Sequence, residues 1–193
     1  MSFVIGELLE RLEGDEPNYG SAAQYAEAHH RDAVKWIRGA AVGRELSPAM
    51  VRRIIHLAAR LGERWALEVF DDVLRQASAE PELRATVAAA LSEWAGHQLV
   101  ESERGAALMQ AADRIPARHR NSIEAALLRA LLSDTDMSVR KFALRAAREL
   151  SQVDPGIGDS LRPSLERCVA TELDNRMKKL ALSALHANTL STN

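Results

Sequence analysis

The residues best placed to do chemistry are His29 and Asp32, which at helical spacing share a face with Tyr25, Ala33 and Trp36. A carboxylate beside an imidazole can orient a proton-transfer group, so the pair is a candidate general base set between two aromatic rings. The competing reading, a satisfied and half-buried pair beside an end helix, asks less of the sequence. Other reactive patterns are sparse. His29 and His30 are adjacent and would point about 100° apart on a helix, a poor start for a shared metal. His56, His97, His119 and His186 have at i+4 only the weak ligand options any helical protein offers. There is no glycine-rich phosphate loop and no Gly-x-Ser-x-Gly elbow. Cys168, beside Leu165 and Val169, reads as a small core residue. The sequence leads us to expect no catalytic residue, no metal and no cofactor.

Binding chemistry has more to offer. Three tryptophans stand out in a chain with 4% aromatics. Trp94 falls on an apolar arc with Leu83, Val87 and Ala90 and is expected in the core. Trp65 falls off its helix's apolar arc, beside Glu68, Asp72 and Gln76, which makes it the candidate exposed aromatic anchor.

The elements that must position these residues are helices. The 193 residues include 33 Ala and 25 Leu against 11 Val and 7 Ile, a composition that favours helix over strand. Helices are expected near 3–13, 21–42, 48–61, 64–78, 81–96, 101–114, 118–132, 137–151, 160–171 and 175–190. Ser47-Pro48, Glu80-Pro81 and Ile115-Pro116 read as helix starts, and Asp154-Pro-Gly-Ile-Gly-Asp159 as a break. Short spacers imply antiparallel neighbours. The start lacks a basic region and a long apolar run, and no segment reaches the ~18 apolar residues of a membrane span. With one cysteine there is no disulfide framework, so a cytoplasmic protein without membrane contact is expected. Twenty-five basic against 27 acidic residues, a net charge of −2 and a pI near 6.3, argue against a wholly basic nucleic-acid binder. The charge is uneven: residues 1–46 carry 5 basic and 8 acidic groups, residues 116–193 carry 12 and 9.

Four helices share a pattern: those beginning Val51-Arg-Arg-Ile, Leu83-Arg-Ala-Thr, Val139-Arg-Lys-Phe and Met177-Lys-Lys-Leu. Each opens with an apolar and a basic residue, followed by small or apolar residues four, seven and eight positions on. Helix pairs repeated near this period indicate a stack in which each pair buries its apolar face on its neighbours. The segment Leu131-Leu-Ser-Asp-Thr-Asp-Met-Ser-Val-Arg-Lys-Phe-Ala-Leu-Arg-Ala-Ala147 resembles the second half of a HEAT repeat. The resemblance is good for 118–151, fair for 160–190 and weak before residue 100. It implies an all-α, right-handed solenoid of stacked antiparallel helix pairs, about nine or ten helices, forming a single domain over 1–193 with 1–20 as an N-terminal cap. It also implies that Asp134 and Arg140, and Glu172 and Lys178 at the same six-residue spacing, belong to an inter-repeat ladder.

Helical phase then selects a stripe opposite the apolar arcs: Arg53, Leu57 and Arg60; Ala85, Ala89 and Ser92; Lys141, Arg145 and Arg148; Lys179, Ser183 and His186. In a HEAT-like stack these positions would line the concave surface. The expected partner-binding residues are therefore Arg53, Arg60, Lys141, Arg145, Arg148 and Lys179, with Trp65 as a separate anchor. The expected function is a non-enzymatic scaffold or adaptor whose partner is a protein with an acidic surface. Nucleic acid is the less favoured partner, because Ala85, Ala89 and Ser92 interrupt the charge where a duplex backbone would need it. The alternative from the enzyme class, an alkylpurine DNA glycosylase of the HEAT-like type, would require a Trp–Asp pair on that stripe, and none falls there. HEAT-like bilin lyases have no distinguishing residue in this sequence.

Overall fold

A computed structural model of the chain describes residues 3–43, 45–76, 81–104, 115 and 117–190. Among these residues the structure is helical throughout: α1 (Ile5–Leu12), α2 (Tyr19–Ala28), α3 (His30–Val42), α4 (Pro48–Leu61), α5 (Trp65–Gln76), α6 (Pro81–Arg104), α7 (Ala117–Ser133), α8 (Met137–Val153), α9 (Pro155–Thr171) and α10 (Asn175–Leu190).

Local chemistry sets most of the boundaries. Ser47 accepts from the Met50 amide at 3.3 Å with Pro48 in the first turn, and Gly62, at φ 68°, closes α4 in a conformation that other residues resist. Asp136 accepts from the amides of Ser138 and Val139 at 2.8 and 3.1 Å and opens α8. Asp174 does the same for α10, with Arg176 and Met177 both at 2.9 Å.

Three boundaries differ from the sequence expectation. The helix expected over 21–42 is broken at His29, where the backbone leaves helical geometry at φ −122° and separates α2 from α3. The helix expected over 81–96 continues as α6 to Arg104, while 105–114, the rest of the helix expected over 101–114, lies outside the described residues. The break expected at 154–159 is a helix start instead. Asp154 accepts from the Gly156 amide at 3.0 Å, Pro155 takes the first turn, and α9 runs from there.

The packing follows a simple rule. Helices α2, α4, α6, α8 and α10 contact one another in succession, and α3, α5, α7 and α9 do likewise in a second row. Sequence neighbours also pack on each other from α2–α3 through α5–α6 and from α7–α8 through α9–α10, and α1 packs on α2 and α4. The core lies between the rows. On α8 it takes Val139, Ala143, Leu144, Ala146, Ala147 and Leu150, with Phe142 half-buried at the edge. Alanine at the contact lets the helices approach closely, which explains why an alanine-rich, aromatic-poor sequence can fill this interior.

Candidate functional site

The first row carries a repeated ion pair. Arg52 at the start of α4 meets Glu82 of α6 at 2.9 Å. Arg84 of α6 meets Asp134, just before α8, at 2.7 Å, and Arg140 of α8 meets Glu172, just before α10, at 3.7 Å. Each arginine thus reaches forward to the next helix of its row. The second row repeats the device with Arg38 of α3 on Glu68 of α5, and Arg120 of α7 on Asp154, just before α9. Between α5 and α7 the buried His119 lies 3.9 Å from Glu68 and 4.0 Å from Asp71. Asp134 and Arg140, expected to share a ladder, do not pair carboxylate to guanidinium. The Asp134 carboxylate serves Arg84, while Arg140 donates to the Asp134 carbonyl at 3.1 Å.

The stripe read from helical phase divides into two unlike halves. At the α4 end its cations are engaged by other groups of the same chain. Arg53 donates to the carbonyls of Leu12 and Gly14, both at 2.6 Å, and so ties down the end of α1. Arg60 donates to Glu93 of α6 at 2.8 Å, and His56 shares the same carboxylate at 3.3 Å. The Tyr19 ring stands edge-on to His56 at 6.1 Å, with the Arg60 guanidinium 5.2 Å from its centre. Burial pushes the Glu93 carboxyl up, but the hydrogen bond from His56 and the charge of Arg60 outweigh it and hold the group below its ordinary value. Burial raises the Tyr19 hydroxyl, with Glu93 adding to it and Arg53 opposing.

In the middle, Leu57 and Ala85 are not on the surface at all. Both are buried, because α4 and α6 are each flanked by two row neighbours and covered by the other row, so their buried arcs are wide. Ala89 and Ser92 are half-buried. At the other end Lys141, Arg145 and Arg148 on α8, and Lys179 and His186 on α10, are exposed. Arg145 lies 5.9 Å from the Phe142 ring centre, and Arg148 is 4.0 Å from its neighbour Glu149. Among the described residues Lys141, Arg145 and Lys179 enter no ion pair.

The fold has a solved counterpart. A crystal structure of an engineered protein, determined as a structural-genomics target, is similar with a TM-score of 0.59 and 16% identity, covering 95% of this chain and 78% of that one. At that identity the likeness concerns the fold alone. No protein-family model and no curated protein matches the chain.

The other candidate residues sit differently from their sequence reading. Trp65 is half-buried against the core and donates to Glu63 at 2.9 Å, so it is not the projecting ring its phase implied. Trp94 is fully buried and donates to the Glu63 carbonyl at 3.1 Å. Among the described residues His29 and Asp32 form no ion pair. The His29 ring instead lies 4.7 Å from Tyr25 and 6.2 Å from Phe3. Asp32 and Trp36 line a groove of about 710 Å³ with Phe3, Ile5 and Leu9 on the α1–α3 side. Among the described residues no group of three His, Cys, Asp or Glu side chains could hold a metal, and no helix is long and apolar enough to cross a membrane. The Cys168 thiol is raised by burial, which keeps it in the unreactive protonated form. Glu93 and Tyr19 were not singled out by the sequence. Glu93 lies one residue from Ser92, and only the α4–α6 contact turns it toward Arg60.

Proposed function

We propose that this chain is a HEAT-like α-solenoid that acts as a non-enzymatic scaffold, binding a partner protein through an acidic surface of that partner. The two-row packing and the forward-reaching arginines support the solenoid reading. The observation that carries the binding reading is the set of unpaired, exposed cations on adjacent helices: Lys141 and Arg145 on α8, Lys179 on α10. Arg148 and His186 extend the same face, while Arg53 and Arg60 have structural work inside the fold.

The test is a charge reversal confined to that face. Lys141→Glu/Arg145→Glu/Lys179→Glu keeps the helical circular-dichroism spectrum, because all three side chains point to solvent. It loses a partner that the wild-type chain captures from its native host, and wild-type capture weakens as salt rises. Capture that is indifferent to both the reversal and the salt sinks the reading. A DNA partner would instead show log K falling against log salt at about −0.9 per phosphate contact. The DNA-glycosylase alternative gains one observation, the Asp32–Trp36 groove. That groove lies in the segment with 8 acidic and 5 basic residues, whose field repels a phosphate backbone.

A further inference from the structure

We propose that the cationic α8–α10 face also receives the acidic α1 end of a second copy of this chain, giving a weak head-to-tail assembly. The inference uses the same face as the function proposed above and adds one specific occupant for it.

The first 16 residues hold five acidic side chains, Glu7, Glu10, Glu13, Asp15 and Glu16, against one basic residue, Arg11. All five are exposed. Arg11 is already committed: it meets Glu7 at 3.9 Å, donates to Ser21 at 3.2 Å and lies 4.5 Å from the Tyr25 ring centre. Glu10, Glu13, Asp15 and Glu16 enter no ion pair among the described residues. Local stability does not account for them. Glu10 sits in the last turn of α1 and Glu13 caps it, at the negative end of the helix dipole, where acidic side chains are disfavoured. Arg53 lies behind them with its donors spent on the carbonyls of Leu12 and Gly14.

The opposite charge is at the other end of the molecule. Lys141, Arg145 and Arg148 recur at i, i+4 and i+7 along about 10 Å of α8, and Lys179 is exposed on α10, which packs on α8. Because α1 packs on α2 and α4 while α10 packs on α8 and α9, the two ends lie at opposite ends of the helix rows. The acids of one copy can meet these cations only on another copy. Such a contact uses different surfaces on the two partners, so it does not close at two copies and can grow. Exposed ion pairs are individually weak, so the association is transient and strongly screened by salt.

Sedimentation equilibrium over rising protein concentration reads it directly. At about 10 mM salt, with a screening length of about 30 Å, the average mass climbs above the 21.2 kDa monomer; at about 1 M salt, near 3 Å, it returns to monomer. An acid-reversed chain (Glu10→Lys/Glu13→Lys/Glu16→Lys) and a base-reversed chain (Lys141→Glu/Arg145→Glu/Lys179→Glu) each stay monomeric, and mixing the two restores association. Reversing Glu27, Asp72 and Glu166 instead, equally exposed but elsewhere, changes net charge by the same amount and leaves self-association in place. A wild-type chain that stays monomeric at low salt overturns the proposal. So does association that survives either reversal, or that fails to return on mixing. If the wild type is monomeric yet the base-reversed chain still loses its captured partner, self-docking falls and the scaffold reading stands; the converse result separates them the other way.

Discussion

Arg84 holds Asp134 through Nε and Nη2 at 2.8 and 2.7 Å, joining residues 50 positions apart in the sequence across the α6–α8 contact. The Asp134 side chain is 4% exposed, whereas Glu82, the acceptor of the equivalent Arg52 pair, is 81% exposed. The two rungs look alike but their energies differ, because removing a buried partner strands an unpaired charge. Arg84→Ala is expected to cost about 3 kcal/mol, the low end for breaking a buried pair. Arg52→Ala should stay within about 0.5 kcal/mol, the usual range for the surface. Urea unfolding of the two variants checks this, and equal costs would show that the rung at Asp134 is solvated.

Arg53 is the second structural arginine. Its two bonds to the Leu12 and Gly14 carbonyls satisfy groups that the end of α1 leaves open. Arg53→Ala should cost about 1.5–3 kcal/mol for hydrogen bonds from a charged donor, and it should speed amide exchange in α1 more than in α8. Arg53→Lys should recover only part of the loss, since an ammonium lacks the planar fork that spans both carbonyls. Exchange that rises equally in α1 and α8 would count against this local role.

Much of the helical architecture was legible because its signals are short-range. Ser47-Pro48 acts within three residues, and the alanine-rich arc of α8 follows from a 3.6-residue period. The break at His29 carries no glycine or proline, so nothing local announced it. Asp154-Pro-Gly-Ile-Gly looked like a loop from its composition. Gly158 is nonetheless buried in α9. The site was harder. Phase on one helix separates core from surface, but it cannot show that Glu93 crosses from α6 to neutralise Arg60, or that Arg53 turns back onto α1. Both facts depend on which helices become neighbours.

Glu93 gives a pH dependence with a definite sign. Its folded pKa lies below the ordinary 4.5, so it binds protons less readily folded than unfolded. The stability it contributes is therefore complete above the unfolded value and is lost as pH falls through the folded one. From about pH 4.5 downward the wild type should lose stability faster than Glu93→Gln, which has no carboxylate to protonate there. Its partners in the fold are His56 and Arg60, both bonded to the carboxylate. Denaturant midpoints for both chains between about pH 6 and pH 3 test it. Parallel curves would mean that Glu93 has no special place in the acid response.

Deleting α9 and α10 tests how the helices share stability. The cut after Asp154 removes Ile157, Leu161, Leu165, Met177, Ala181 and Ala184, all buried, and uncovers the faces of α8 that pack on α9 and α10. Each large aliphatic side chain contributes roughly 1.5–3 kcal/mol when fully buried, so the α8 end must weaken markedly. In a one-dimensional stack the loss is confined to the units near the cut, since each unit contacts only its neighbours. The truncated chain should then keep helical signal per residue in α1 through α6, unfold over a broader denaturant range and bind a hydrophobic dye at its new end. Circular dichroism with residue-resolved amide exchange distinguishes the outcomes. Complete loss of helix throughout α1–α6 would mean the chain folds as one indivisible core, and the solenoid proposal would fail with it.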